Sequence, residues 1–283
     1  MSTGVEERTD AMTTLLEPVA KLDREVLGLA GLVDTDQARG LVDLYYRWQE
    51  HRIALRGQIR AIMQGADPAA STDLLAHCAD QVEQLERQMV RVFDEWTDTH
   101  RVGVWSKAQL GIGPVLAAGL LGHIDIERAA TAGAIWRFAG LDPTVKWGKG
   151  ERRPWNADLK VLCWKIGDSF VKVSGREDAL YGQLHRQRKA YELERDASGG
   201  NADAAARKLE DQKIKDKALR LRLESGHLAD GQLDQRARRW AVKIFLSHWH
   251  EVAYRDFYGE APPAPFILEH GDGHVHRIEV PAG

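Results

Sequence analysis

The sequence predicts an all-α protein. Apolar residues recur at helical spacing through most of the 283 residues. Helix caps and breakers, such as Gly65-Ala66-Asp67-Pro68, Gly111 to Pro114 and Asn156, fall at the ends of the periodic segments. No strand-like segment precedes Leu110. The expected organisation is an N-terminal antiparallel helical bundle or coiled coil over residues 1–104 and a compact helical domain over 105–260. That domain holds a helix-hairpin-helix-like element and a charged helical hairpin inserted at about 178–235, and a tail covers 261–283.

In chain order, residues 1–8 are polar and expected to fray. Asp10 to Leu29 is read as a helix from Leu15, Leu16, Val19, Leu22, Val26 and Leu27. A second helix is expected from Asp36, with Thr35 as cap, to Met63, and a third from Ser71 to His100. Gly111-Ile112-Gly113-Pro114 forms a tight turn, with Pro114 suited to the first position of the Ala- and Gly-rich helix that follows. The free N–H groups of that first turn, around Gly111, Ile112, Gly113 and Val115, make a phosphate-binding arrangement. Asn156 to Val173 is a helix capped by Asn156, with Val161, Leu162, Trp164, Ile166 and Phe170 among its apolar positions and Lys160 and Lys165 on its outer face. Tyr181 to Ala197 and Ala204 to Ser225 are read as two charged helices, either a solvated, salt-bridged pair or a basic arm along a nucleic-acid backbone. A last helix runs from Asp234 to Tyr258. Phe266 to Leu268 and Val275 to Val280 are compatible with a short β-hairpin.

Composition narrows the function classes. The net charge of −3 conceals an asymmetry: 10 Lys/Arg against 18 Asp/Glu in residues 1–100, 26 against 18 in 101–240, and 3 against 6 in 241–283. The middle of the chain therefore carries +8, which suits a polyanionic partner such as DNA or structured RNA. No apolar run is long enough for a membrane span and no leader is evident, so a cytoplasmic protein without a membrane partner is expected. Cys78 and Cys163 are read as buried thiols. His248 and His250, two residues apart, are core-edge histidines rather than ligands. For His270, Asp272, His274 and His276, a polar turn accounts for the pattern as well as a metal does, and neither metal nor cofactor is expected.

The loop after Pro143 is basic and aromatic. Lys146, Lys149, Arg152 and Arg153 are placed for phosphates, with Lys160 on the following helix. Trp147, or Trp155, is placed to stack on a base. The alternative is that the tryptophans anchor the loop and the cations are solvated.

Residues 110–143 also resemble a known family. A Gly-Ile-Gly-Pro turn, an Ala-rich helix, an Ile-Asp step, Phe138-Ala139-Gly140-Leu141-Asp142-Pro143 and then basic residues follow in order. This resembles the C-terminal domain of the insertion-sequence transposases of the 110/116/902 family, DEDD-type enzymes guided by a structured RNA. Gln81 to Glu86 resembles the coiled coil that precedes that domain. The resemblance spans roughly residues 75–260. It implies nucleic-acid binding and assembly as a homodimer or higher oligomer. The chain departs from the family in two ways. The ribonuclease-H-like domain with its acidic metal ligands has no counterpart before Leu110. Where the resemblance implies a nucleophilic serine, Lys146, Trp147 and Gly148 stand instead. Thr144 is a weak substitute, and Ser106 and Ser169 are more distant ones.

Three functions are therefore weighed. The first is a nucleic-acid-binding protein without chemistry of its own. The second is a transposase or recombinase subunit that works with a separate ribonuclease-H-like nuclease subunit. The third is a structural or assembly protein that uses its helical bundle.

Overall fold

A computed structural model describes residues 19–65, 72–148, 150–263 and 278–283. The described residues are all-α, with eleven α-helices, two short 3-10 segments and no strand. The chain divides into two compact units at His100/Arg101, four residues before the boundary expected from sequence.

In the first unit, α1 (Arg24–Gly28) leads through a 3-10 turn (Leu29–Leu32) into α2 (Thr35–Gln64), which pairs with α3 (Asp73–Asp98). Asp34 and Gln37 close a reciprocal capping box at the start of α2, so two orphan N–H groups find partners there. The α2–α3 pair is antiparallel. Trp96 Nε1–H donates to the Val33 carbonyl at one end (2.8 Å), and Arg52 donates to both oxygens of the buried Glu86 further along (2.6 and 2.9 Å).

Within the described residues, the expected first helix is helical only over Arg24–Gly28. Residues 10–18 lie outside the described residues, and 19–23 are not helical. The backbone N–H groups of Val19 and Leu22 donate instead to the side-chain oxygens of Gln81 and Gln88 on α3 (2.8 and 2.6 Å). Asp23 then caps a helix of only five residues.

The second unit runs α4 (Arg101–Ala108), α5 (Pro114–His123), a 3-10 turn (Ile126–Arg128), α6 (Ala132–Phe138), α7 (Ala157–Val173), α8 (Leu180–Ala197), α9 (Ala202–Asp211), α10 (Lys217–Glu224) and α11 (Asp230–Tyr258). α11 is the axis of the unit and packs against α4, α6, α7 and α8. At its centre Phe245 meets Trp105, Phe170 and Tyr181, with ring centroids 5.1–5.9 Å apart. His248 and His250 are both buried. His248 Nδ1 lies 2.8 Å from the Tyr181 hydroxyl, and His250 Nε2 lies 2.7 Å from the Ala129 carbonyl. The tail residues 278–283 lie on this body: Trp105 Nε1–H donates to the Pro281 carbonyl (3.0 Å). Most of the expected β-hairpin, with the histidines at 270, 274 and 276, lies outside the described residues.

The charged segment differs from its expected form in two respects. First, α8 is not a projecting arm, because Tyr181, Leu184 and His185 are core residues. Second, the expected helix 204–225 is broken. Gln212 is extended, and Asp216 starts a new helix by accepting from the Ala218 and Leu219 N–H groups. α9 and α10 instead share a small core of Ala205, Leu223, Leu228 and Leu233. Cys163 is buried as expected, and burial pushes its thiol up to about 12, whereas Cys78 is exposed because its position on α3 faces away from α2.

Candidate nucleic-acid interface

The hairpin turn is held by α7. The Ile112 N–H donates to the Gln109 carbonyl (2.9 Å), and the Ser169 hydroxyl donates to the Gly111 carbonyl (2.5 Å). Gly111 sits at φ +100°, a conformation that favours glycine, and an added Cβ would lie 3.1 Å from the Phe170 ring. Ile112 plugs the core. Gly113 is exposed and caps α5 with backbone alone, Pro114 takes the first helical position, and Val115 is half-buried. The first-turn N–H groups of α5 have no acceptor within the helix, as helix geometry dictates. α5 then passes close to α7: a Cβ on Gly119 would lie 2.8 Å from Leu162.

The basic loop sits at the other end of α7. The Asn156 N–H donates to the Phe138 carbonyl (2.8 Å), and Asn156 in turn caps α7 by accepting from the Leu159 N–H (2.9 Å). Gly140, at φ +65°, lets Trp155 approach so closely that a Cβ would lie 2.8 Å from the indole. Lys160 Nζ stands over that indole at 4.1 Å, in cation–π contact. Trp147 is pinned by its Nε1–H, which donates to the Glu151 carbonyl (2.8 Å), and it meets Trp155 edge to face at 6.0 Å. Arg153 lies 5.4 Å from the centre of the Trp147 ring. Trp147 thus combines the two sequence readings: it anchors the loop, yet it stays 40 % exposed. Lys146, Arg152 and Arg153 are exposed, and Lys149 lies outside the described residues.

The cations of this face repel one another. Burial lowers the Lys160 ammonium below its ordinary range, and Arg239 and Arg153 lower it further. Burial also lowers the Arg239 guanidinium, with Arg236 adding to the effect. Lys243, over the Trp136 ring at 4.2 Å, is lowered by burial and partly restored by Asp142. Among the described residues, Lys146, Arg152, Arg153, Lys160 and Arg239 take part in no ion pair with a carboxylate. An anion arriving there meets cations that, among the described residues, are not committed to a carboxylate.

The structure does not bring the two sequence-predicted groups to one spot. Ser169 and Phe170 hold the hairpin turn, whereas Lys160 marks the basic loop. The offset along α7 is about 14 Å at 1.5 Å per residue. The sequence patterns above point to neither Arg239 nor Trp164 as a site residue, since helical spacing puts Trp164 among the apolar positions of α7. Val161 and Trp164 are in fact 53 % and 55 % exposed.

The candidate hydroxyls are held in local bonds. Ser106 is fully buried and donates to the Val102 carbonyl (2.7 Å). Ser169 is committed to Gly111. Thr144 is exposed, and its hydroxyl and N–H both donate to one Asp142 oxygen (2.7 and 2.9 Å). Those two bonds hold the Asp142 carboxyl below its usual range, with Arg137 and Lys243 assisting, which makes it a weak base for activating Thr144. Among the described residues, no group of three or more His, Cys, Asp and Glu side chains is placed to hold a metal ion. Also among the described residues, no helix is long and apolar enough to cross a membrane.

No family model, curated protein or solved structure matches this chain.

Proposed function

We propose that the second unit binds nucleic acid, DNA or structured RNA, through the face formed by Lys146, Arg152, Arg153, Lys160 and Arg239, and that this chain carries out no strand chemistry alone. The supporting observation is a set of cations that hold no carboxylate, within which Arg239 and Arg153 lie close enough to Lys160 to add to the lowering that burial imposes on its ammonium. Such a set is costly to keep together unless a polyanion pays the cost. The open N-terminus of α5 at Gly113 offers backbone donors to a further phosphate some way along the same strand. Contacts of this kind position a backbone without reading sequence. The reading places the protein in the cytoplasm, as a homodimer or higher oligomer assembled through the first unit.

A transposase-like subunit role, with a separate nuclease subunit, remains the second reading. The one observation favouring it is Thr144, exposed beside the cationic face. Fluorescence anisotropy of the full chain with duplex DNA, single-stranded DNA and structured RNA at two salt concentrations tests the first reading. The expected result is binding whose log affinity falls with log salt, at a slope of about −0.9 per neutralised phosphate on duplex DNA. Absence of binding to all three at low salt would overturn it. Strand exchange that depends on Thr144 once a nuclease subunit is added would move the conclusion to the second reading.

A further inference from the structure

The cationic face is bordered by apolar groups that the fold leaves open. Val161 and Trp164 lie one helical turn apart on the solvent side of α7, 53 % and 55 % exposed. Lys160 precedes Trp164 by four residues, so their Cβ atoms are neighbours on one face, about 5–6 Å apart. Phe138, 43 % exposed, is tied to the start of the same helix by the bond from the Asn156 N–H to its carbonyl. A large exposed indole on a helix whose opposite face fills a core calls for a partner. Its setting is Lys160 on the Trp155 ring and Arg153 on the Trp147 ring, with Arg239 close enough to depress Lys160.

Resting on the nucleic-acid reading above, we infer that this face takes unpaired nucleotides, with Trp164 as a stacking platform and Lys160, Arg153 and Arg239 on the phosphates that flank the stacked base. A duplex presents phosphates outward and hides the faces of its bases. It would satisfy the cations and leave Trp164 in water. A single strand supplies both a backbone charge and a free π-face, the two things this surface offers partners for. An apolar protein partner would cover Trp164 and Val161 but would bury Lys160 and Arg153 without counter-charge, which is costly. Trp147 is the weaker platform, because Arg153 already sits over its ring and Trp155 meets it edge to face.

The test uses the full chain and three probes: an oligothymidylate, an abasic strand and a duplex, each about 20 nucleotides long. The parent chain is expected to bind the thymidylate more tightly than the abasic strand. Trp164→Ala should weaken thymidylate binding at least about fivefold, while abasic and duplex binding change less than about twofold. Trp164→Phe keeps an aromatic face and should restore most of the loss, which separates stacking from misfolding. Equal affinity of the parent for thymidylate and abasic strands would overturn the inference and leave the phosphate-binding reading standing. So would an equal loss on all three probes in Trp164→Ala. A fall in molar mass of Trp164→Ala by light scattering would also overturn it, because the ring would then be a contact between copies of the chain. If the parent binds none of the probes at low salt, the inference fails, and binding of structured RNA then decides the proposed function.

Discussion

Across residues 144–160 and at Arg239, five described cations hold no carboxylate, whereas Lys172, Arg188, Lys189, Arg222, Arg236 and Arg238 do. Asp234 binds Lys189 and Arg238 (2.9 and 2.6 Å), Asp168 binds Lys172 and Arg238 (2.8 and 3.1 Å), Glu192 binds Arg188 and Arg236 (2.5 and 3.5 Å), and Arg222 binds Asp230 (2.7 Å). Counted along the sequence, both stretches are basic. Their chemistry differs because a paired cation stitches helices together and a bare one projects a field. Part of the +8 of residues 101–240 is therefore taken up in pairs within the second unit and is not available to a polyanion.

The largest effect that can break this contrast comes from charge removal. Alanine at Lys146, Arg152, Arg153 and Lys160 together should lower nucleic-acid affinity by about a hundredfold or more near physiological salt and flatten the salt slope. The matching quadruple replacement of Arg188, Lys189, Arg220 and Arg222 should leave affinity within about threefold and lower stability instead. Equal losses of affinity in both would erase the distinction.

Next in size is Asp234→Ala. It leaves Lys189 without a carboxylate beside the buried His185, while Arg238 keeps Asp168, and urea denaturation should register a loss of about 2 kcal/mol. The same stitching groups make stability depend on pH. Burial lowers His185 and His250 below their ordinary range, so their contribution is present above pH about 6.5 and is lost as pH falls below it. For Asp196 and Asp234, burial alone would raise the carboxyls, but hydrogen bonds and nearby cations more than offset it. Asp168 is held low chiefly by Lys172. With folded values below the unfolded ones, these three contribute above pH about 3.9, and that contribution disappears as pH falls further. Thermal melts from pH 8 to 2 should therefore decline in two steps, and a single step would contradict the assignment.

Gly140→Ala tests the loop anchor. The φ of +65° and the 2.8 Å approach to Trp155 should cost about 1–3 kcal/mol, and the displaced indole should take Lys160 with it, lowering affinity several-fold. The smallest effect is expected at Thr144→Ala. It removes one exposed bond to Asp142 and should change binding by less than about twofold.

Helix content, the capped start of α7 and the turn at Gly111 were legible in the sequence because each depends on local chemistry: spacing, an Asn cap, and a glycine followed by a proline. What was not legible depends on long-range partners. Nothing local says that Gln81 and Gln88 take the N–H groups of Val19 and Leu22 just ahead of the helix at Arg24. The break at Asp216 was signalled by a capping residue, but the charged periodicity around it hid the signal. For the candidate interface, the basic loop was readable as a cluster. The separation of Gly111 from Lys160 was not, because it depends on which end of α7 each packs against. Trp164 was misjudged because periodicity places a residue on a face without saying whether another helix covers that face.

The break between α9 and α10 has a practical consequence for how the chain can be cut. Lys213 and Lys215 stand exposed in the extended stretch between the helices, a site that a trypsin-like protease should reach early in a limited digest. Because Leu209 and Ile214 on one side and Leu219 and Leu223 on the other pack into the same small cluster, the two pieces should stay together after the nick. The protein would then run as two bands under denaturing conditions and as one particle in native solution.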